Sequence, residues 1–252
     1  MKDFQISYDL FRNKLIIAND MYENNFEILG SDKYNNCWIG YSPDNNTYWF
    51  GLTEDGNNAY DYPSADEILN APVFDGKSMY ELWDKVVFWS INGLSVKDWF
   101  VYTCVNYYTC RNQDAIMNVA KLACKLWKDA DYYELKSDFE EISSKKNEII
   151  YTAYCSEEMI AFAHCNIRKE YVEGANSSKV AYLEAIFVEE KYRKAGIATH
   201  LIRCCENWAN KKGCQEFASD CNVNNNESRK LHESNGFSET ATLVHYIKKL
   251  NS

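Results

Sequence analysis

From Ala181 to Lys212 the chain reads as one strand, one tight turn and one long helix. The run Ala181-Tyr182-Leu183-Glu184-Ala185-Ile186-Phe187-Val188 has the length of a buried strand and is rich in aromatic and β-branched residues. Tyr192-Arg193-Lys194-Ala195-Gly196-Ile197-Ala198-Thr199 follows, small and basic, and a helical pattern then continues until Gly213 stops it. A helix start presents unpaired N–H donors and the positive end of its dipole, so this turn suits a phosphate. Gly196 and Ala198 keep bulk away from the backbone, and Arg193 and Lys194 add positive charge. Taken alone, the Arg-x-x-Gly-x-Ala hexad reads equally as a plain helix N-terminus.

Two bulk properties narrow the field. The 252 residues suit one large or two modest domains. The net charge of −10 is concentrated at one end: residues 1–100 hold 16 acidic against 7 basic residues, leaving −1 for the remainder. No basic face stands out, which argues against a nucleic-acid partner. No apolar run approaches the roughly 18 residues that span a bilayer, and Met1-Lys2-Asp3-Phe4-Gln5 opens no signal-peptide core. A cytoplasmic protein without a membrane partner is expected. The ten cysteines contain no Cys-x-x-Cys pair and many occupy apolar positions, so free buried thiols are expected rather than disulfides or a metal site.

Residues 1–104 read as a small acidic α+β domain. Strands are expected at Phe4–Leu10, Lys14–Ala18, Cys37–Tyr41, Tyr48–Leu52 and Val86–Ile91. Ser64-x-x-Glu67, Ser78-x-x-Glu81 and Ser95-x-x-Asp98 resemble capping boxes and predict short helices near 65–71, 79–84 and 96–100. Five of the seven tryptophans lie here, and no histidine does. Core packing accounts for such aromatics more readily than a sugar or peptide groove. No function is legible in this part.

Residues 105–252 alternate strand and helix patterns. A strand at Tyr107–Arg111 precedes a helix capped by Asp114 and a second helix over Tyr132–Ile142. Strands follow at Glu148–Cys155, Met159–Arg168 and Val180–Val188. Then come helix Ala195–Lys212, strand Glu216–Cys221, helix Glu227–Asn235, and strands Ser238–Thr242 and Val244–Leu250.

The hexad, with Asn225 and His232-Glu233-Ser234-Asn235-Gly236-Phe237 after it, resembles the GNAT superfamily of N-acetyltransferases. Tyr171-Val172-Glu173-Gly174, Ser177-Ser178, Leu183 through Val188, Trp208-Ala209, Lys212-Gly213-Cys214 and Phe217-Ala218-Ser219-Asp220 are similar to the aminoglycoside 6′-N-acetyltransferases of that superfamily. The resemblance covers residues 107–252. It implies an α+β fold, a mixed central sheet flanked by helices, and direct acetyl transfer from acetyl-CoA, without a metal. The acceptor would be the 6′-amine of an aminoglycoside. Another cationic amine is the alternative acceptor, and an acetyl-CoA-binding sensor is the alternative class. Relatives of this kind often dimerise, so a homodimer is open.

The resemblance also assigns roles. Ile186, Phe187 and Val188 would lie along the pantetheine, and Arg193, Lys194, Ala195, Gly196, Ile197, Ala198 and Thr199 around the pyrophosphate. Asn225 would contact the cofactor, cap a helix, or do both. Asp220 would bind the amine and take its proton, the alternative being a cap of the next turn. Glu184 would hold the polycation or form a structural ion pair. Trp127 and Tyr171 would flank the substrate, although core packing also suits Trp127. His232 stands where many relatives carry a tyrosine that protonates the leaving thiolate; it is either that acid or a packed helix residue.

Overall fold

The computed structural model describes residues 4–17, 21–52 and 59–249. The chain divides into two compact units, Met1–Cys104 and Val105–Ser252.

The first unit runs α1 (Tyr8–Ile17), β1 (Asn24–Ile28), β2 (Cys37–Ser42), β3 (Thr47–Gly51), β4 (Ala59–Tyr62), α2 (Ala65–Asn70), β5 (Val86–Ile91) and α3 (Val96–Trp99). Its strands form one antiparallel sheet in the order β4-β3-β2-β1-β5. The expected strands at Phe4–Leu10 and Lys14–Ala18 are replaced by helix α1; Ala18 itself lies outside the described residues. Tyr8, Phe11 and Leu15 recur at helical spacing. Phe11 and Leu15 are buried, and the Tyr8 and Phe11 rings pack on Trp83 and Phe88. Those long-range ring contacts outweigh the local alternation of Phe4, Ile6, Tyr8 and Leu10.

Ser64 accepts the Glu67 N–H and Ser95 that of Asp98, capping α2 and α3. Ser78 and Glu81 bond reciprocally as well, but no α-helix follows them, only a 3-10 turn at Trp83–Lys85. Strands β1 and β4 carry Asn, Glu or Asp among their few residues and give no clear sequence signal.

The second unit runs β6 (Val105–Thr109), α4 (Gln113–Leu126), α5 (Tyr132–Ser144), β7 (Glu148–Cys155), β8 (Glu158–Arg168), β9 (Val180–Val188), α6 (Ile197–Lys211), β10 (Glu216–Ser219) and α7 (Asn226–Ser234). The sheet order is β10-β9-β8-β7-β6; β9 and β10 are parallel and the other neighbours antiparallel. On one face, α4 and α5 bury Ile116, Val119, Ala123 and Phe139 against Ile150, Phe162, Ala185 and Phe187. On the other, α6 turns Leu201, Ile202, Cys205 and Ala209 inward against β7, β8 and β9. The cap of α4 is Asn112, whose Oδ1 accepts the Ala115 N–H at 2.8 Å; Asp114 lies in the first turn instead. All ten cysteines are free thiols and seven are buried.

The two C-terminal strands expected from the sequence are absent from the described residues. Residues 238–249 form no ladder, and Leu250 lies outside the description. Leu243, Val244, Tyr246 and Ile247 are 67 %, 69 %, 93 % and 96 % exposed. A strand pattern forms a strand only where another backbone edge accepts its hydrogen bonds. No helix among the described residues is long and apolar enough to cross a membrane.

Candidate functional site

The site is built on the divergence of β9 from β10. Their parallel pairing runs from Val180 with Glu216 to Leu183 with Ser219 and stops there. From Ala185 to Val188, β9 is therefore paired among the described residues on one side only, with β8. A β-bulge sits at the point of divergence. Ala185 pairs with His164 and Leu183 with Cys165, so Glu184 is the extra residue. A bulge bends its strand and reverses which face the following side chains take. Leu183 lies opposite Cys165, which contacts Cys205 of α6, whereas Ala185 and Phe187 enter the core under α4.

The open stretch of β9 leads into the basic turn. Lys194 and Gly196 both take positive φ, 67° and 89°, while Ala195 and Ile197 are buried. The turn is thus anchored by alternate side chains, and glycine suits the left-handed position at the helix cap. The first bond of α6 runs from His200 N–H to Gly196 O. The N–H groups of Ile197, Ala198 and Thr199 precede it. No side chain caps this helix and its first turn carries no acid; α4, α5 and α7 each have an acid there. Such a start fits an anion. Arg193 pins the turn to β9, its Nε donating to Val188 O at 3.1 Å, and its Nη1 lies 3.5 Å from Glu227 Oε2.

Asp220 follows the last paired residue of β10. Its Oδ1 accepts the Tyr182 hydroxyl at 2.5 Å. Burial first, and Asp220 second, push the Tyr182 phenol above its ordinary value, so it keeps its proton and donates. Arg168 lies over the Tyr182 ring, its Cζ 3.3 Å from the centroid. The same guanidinium donates from Nε and Nη2 to Glu184 Oε1, at 3.0 and 2.6 Å, and Asn166 Nδ2 adds a third bond at 2.6 Å. Glu184 is thus ion-paired within the protein. Arg168, Asn166 and Tyr182 were not legible as site residues: Tyr182 reads as strand core, and nothing in the sequence joins Arg168 to it.

The remaining candidates lie on other elements of the second unit. Trp127 terminates α4 and is 40 % exposed; Tyr171 is 81 % exposed and donates to Glu173. Both are therefore open to a ligand. Asn225 caps α7, its Oδ1 accepting the Ser228 N–H, which leaves its amide hydrogens for another partner. His232 lies in α7. Its Nδ1 faces Ser228 O at 2.7 Å and so carries the ring hydrogen. Its Nε2 is buried without a partner, and the ring packs edge-on against Phe237 at 5.2 Å.

Residues 113–237 match the acetyltransferase (GNAT) family. The aminoglycoside N(6')-acetyltransferase type 1 of Acinetobacter haemolyticus is 38 % identical over 131 residues, which are 52 % of this chain and 90 % of that protein. Among solved structures, AAC(6')-Iy in complex with the bisubstrate analogue CoA-S-monomethyl-acetylneamine aligns with a TM-score of 0.55 at 33 % identity, covering 58 % of this chain and 99 % of that one. The aminoglycoside 6'-N-acetyltransferase AAC(6')-Ih from Acinetobacter baumannii aligns with a TM-score of 0.54 at 34 % identity, over the same shares. The N-terminal region is unmatched. An open strand edge leading into an uncapped, glycine-led helix, on a fold shared with these relatives, places this chain in the GNAT acetyltransferase family.

Proposed function

We propose that the chain is an acetyl-CoA-dependent N-acetyltransferase acting on the 6′-amine of aminoglycosides. The observation that carries this reading is the open edge of β9, which runs from Asp220 and Glu184 at one end to the anion-fitting start of α6 at the other. The relatives' names supply the substrate class.

When bound, acetyl-CoA supplies an activated acetyl thioester. The chain's own residues do the rest. Backbone groups of Ile186 and Val188 hold the pantetheine amides, and N–H groups from Lys194 to Thr199 hold the pyrophosphate, with Asn225 beside them. Aminoglycoside amines are largely protonated near neutral pH, so a base is needed. Asp220 attracts the ammonium group and takes its proton; Oδ2 is the oxygen not occupied by Tyr182. Glu184 offers Oε2 to a second ammonium group, since its three protein bonds all end on Oε1. Trp127 and Tyr171 pack on sugar faces. The leaving sulfur takes its proton from solvent, because His232 Nε2 is enclosed.

The reading puts the enzyme in the cytoplasm, where thiols stay reduced. The assembly is a homodimer in which residues 238–249 find backbone partners on a second copy; their exposed apolar side chains support this. Thiol release from acetyl-CoA with kanamycin, with spermidine and with no acceptor tests the function. Release with kanamycin alone supports it; release with spermidine alone selects the other amine class, and none with either selects a sensor.

A further inference from the structure

Resting on the reading of Asp220 as the base, we propose that Tyr182 is a positioning residue that fixes the Asp220 carboxylate for proton transfer, with Arg168 clamping the Tyr182 ring. Asp220 lies one residue beyond the last rung of the β9–β10 ladder, so pairing does not hold its own backbone. Ser219 is the last residue tied down, by its rung with Leu183 and by its hydroxyl on Leu183 O at 3.0 Å. A base beyond the end of its ladder would sample several rotamers. The phenol removes that freedom, since its 2.5 Å bond fixes Oδ1 and turns Oδ2 to the approaching amine.

Tyr182 is itself held on all sides. It is 7 % exposed, packs with Val172 and Val180, and has Ala218 across the ladder. Arg168 covers its ring at 3.3 Å and is anchored by Glu184. The charged groups around the phenol are thus Asp220, Arg168 and Glu184.

The test compares Tyr182→Phe, Asp220→Asn and the double variant. Phe keeps the ring beneath Arg168 and removes only the hydroxyl. Folding is checked by thermal melting and by calorimetry with coenzyme A, neither of which should change. Tyr182→Phe is expected to lower kcat with kanamycin about tenfold, the loss of one charge-assisted hydrogen bond. The KM values for kanamycin and for acetyl-CoA should stay within about twofold of the parent, because an interaction that only positions the base acts on kcat. In the Asp220→Asn background Tyr182→Phe should add nothing. If Asp220→Asn is crippled while Tyr182→Phe keeps normal kcat, the proposal fails and the base assignment stands. Equal losses in both backgrounds show a merely structural tyrosine and also overturn it. Near-normal turnover of Asp220→Asn removes the base and this inference together.

Discussion

Arg168 binds Glu184 through a single oxygen, Nε and Nη2 both meeting Oε1 at 3.0 and 2.6 Å. The acid is consequently restrained without being saturated. Its partners are partly exposed, 36 % for Arg168 and 25 % for Glu184, so the pair adds little net stability. Its effect is to fix where a negative charge points. Glu184→Gln is expected to raise the KM for kanamycin about tenfold, with a smaller change in kcat and none in the affinity for coenzyme A. Steady-state kinetics separate the two. An unchanged KM would leave the residue as a structural ion pair.

The turn before α6 predicts a second set of effects. Gly196 sits at φ 89°, where a β-branched residue is strained by roughly 1–2 kcal/mol. Gly196→Val should therefore lower the melting temperature slightly and weaken coenzyme A binding at least tenfold. Arg193→Glu should weaken it as much by charge reversal, and the loss should shrink with added salt. Isothermal calorimetry at two salt concentrations reads both.

His232→Gln is expected to leave kcat within about twofold of the parent and the basic limb of the pH profile unmoved, because Nε2 does not reach solvent. A hundredfold loss in a folded variant would restore His232 as the acid.

The exposed tail gives a prediction about assembly. Val244→Lys with Ile247→Lys places two charges where the strand pattern would pair with a second copy. Sedimentation should show the parent as a dimer and this variant as a monomer. A monomeric parent would refute the assembly.

A pH effect follows from Glu216. Its carboxylate accepts the Ser177 hydroxyl and the N–H groups of Asn176 and Ser177, which hold its carboxyl below the ordinary range, the Ser177 hydroxyl contributing most. A depressed carboxyl favours the folded state above the unfolded value of 4.5 and loses that effect as pH falls through the folded value. Glu216→Gln should thus lower the urea midpoint at pH 7 more than at pH 3.5. An equal shift at both would show that its charge is not linked to folding.

Much of the second unit was legible before any coordinates. Strand Glu148–Cys155 and strand Val180–Val188 fall where their aromatic and β-branched runs place them. Gly213 and Gly236 end helices with left-handed φ, and Gly196 begins one. These features are local: a few neighbouring residues set the conformation, and their side chains report it. The turn suited to an anion was readable for the same reason.

What the sequence could not show depends on residues far apart in the chain. Helix α1 replaced two expected strands because Trp83 and Phe88, more than 70 residues away, gave Tyr8 and Phe11 a surface to pack on. The C-terminal strand pattern forms no ladder among the described residues, and a ladder needs the edge of a partner that local sequence does not name. The bulge at Glu184, the hold of Arg168 upon it and the bond from Tyr182 to Asp220 join residues 16 and 38 positions apart. Local composition fixes backbone preference residue by residue. Only folding brings three strands side by side, and only there does an acid in an apolar run find a guanidinium, and a strand tyrosine a carboxylate to hold.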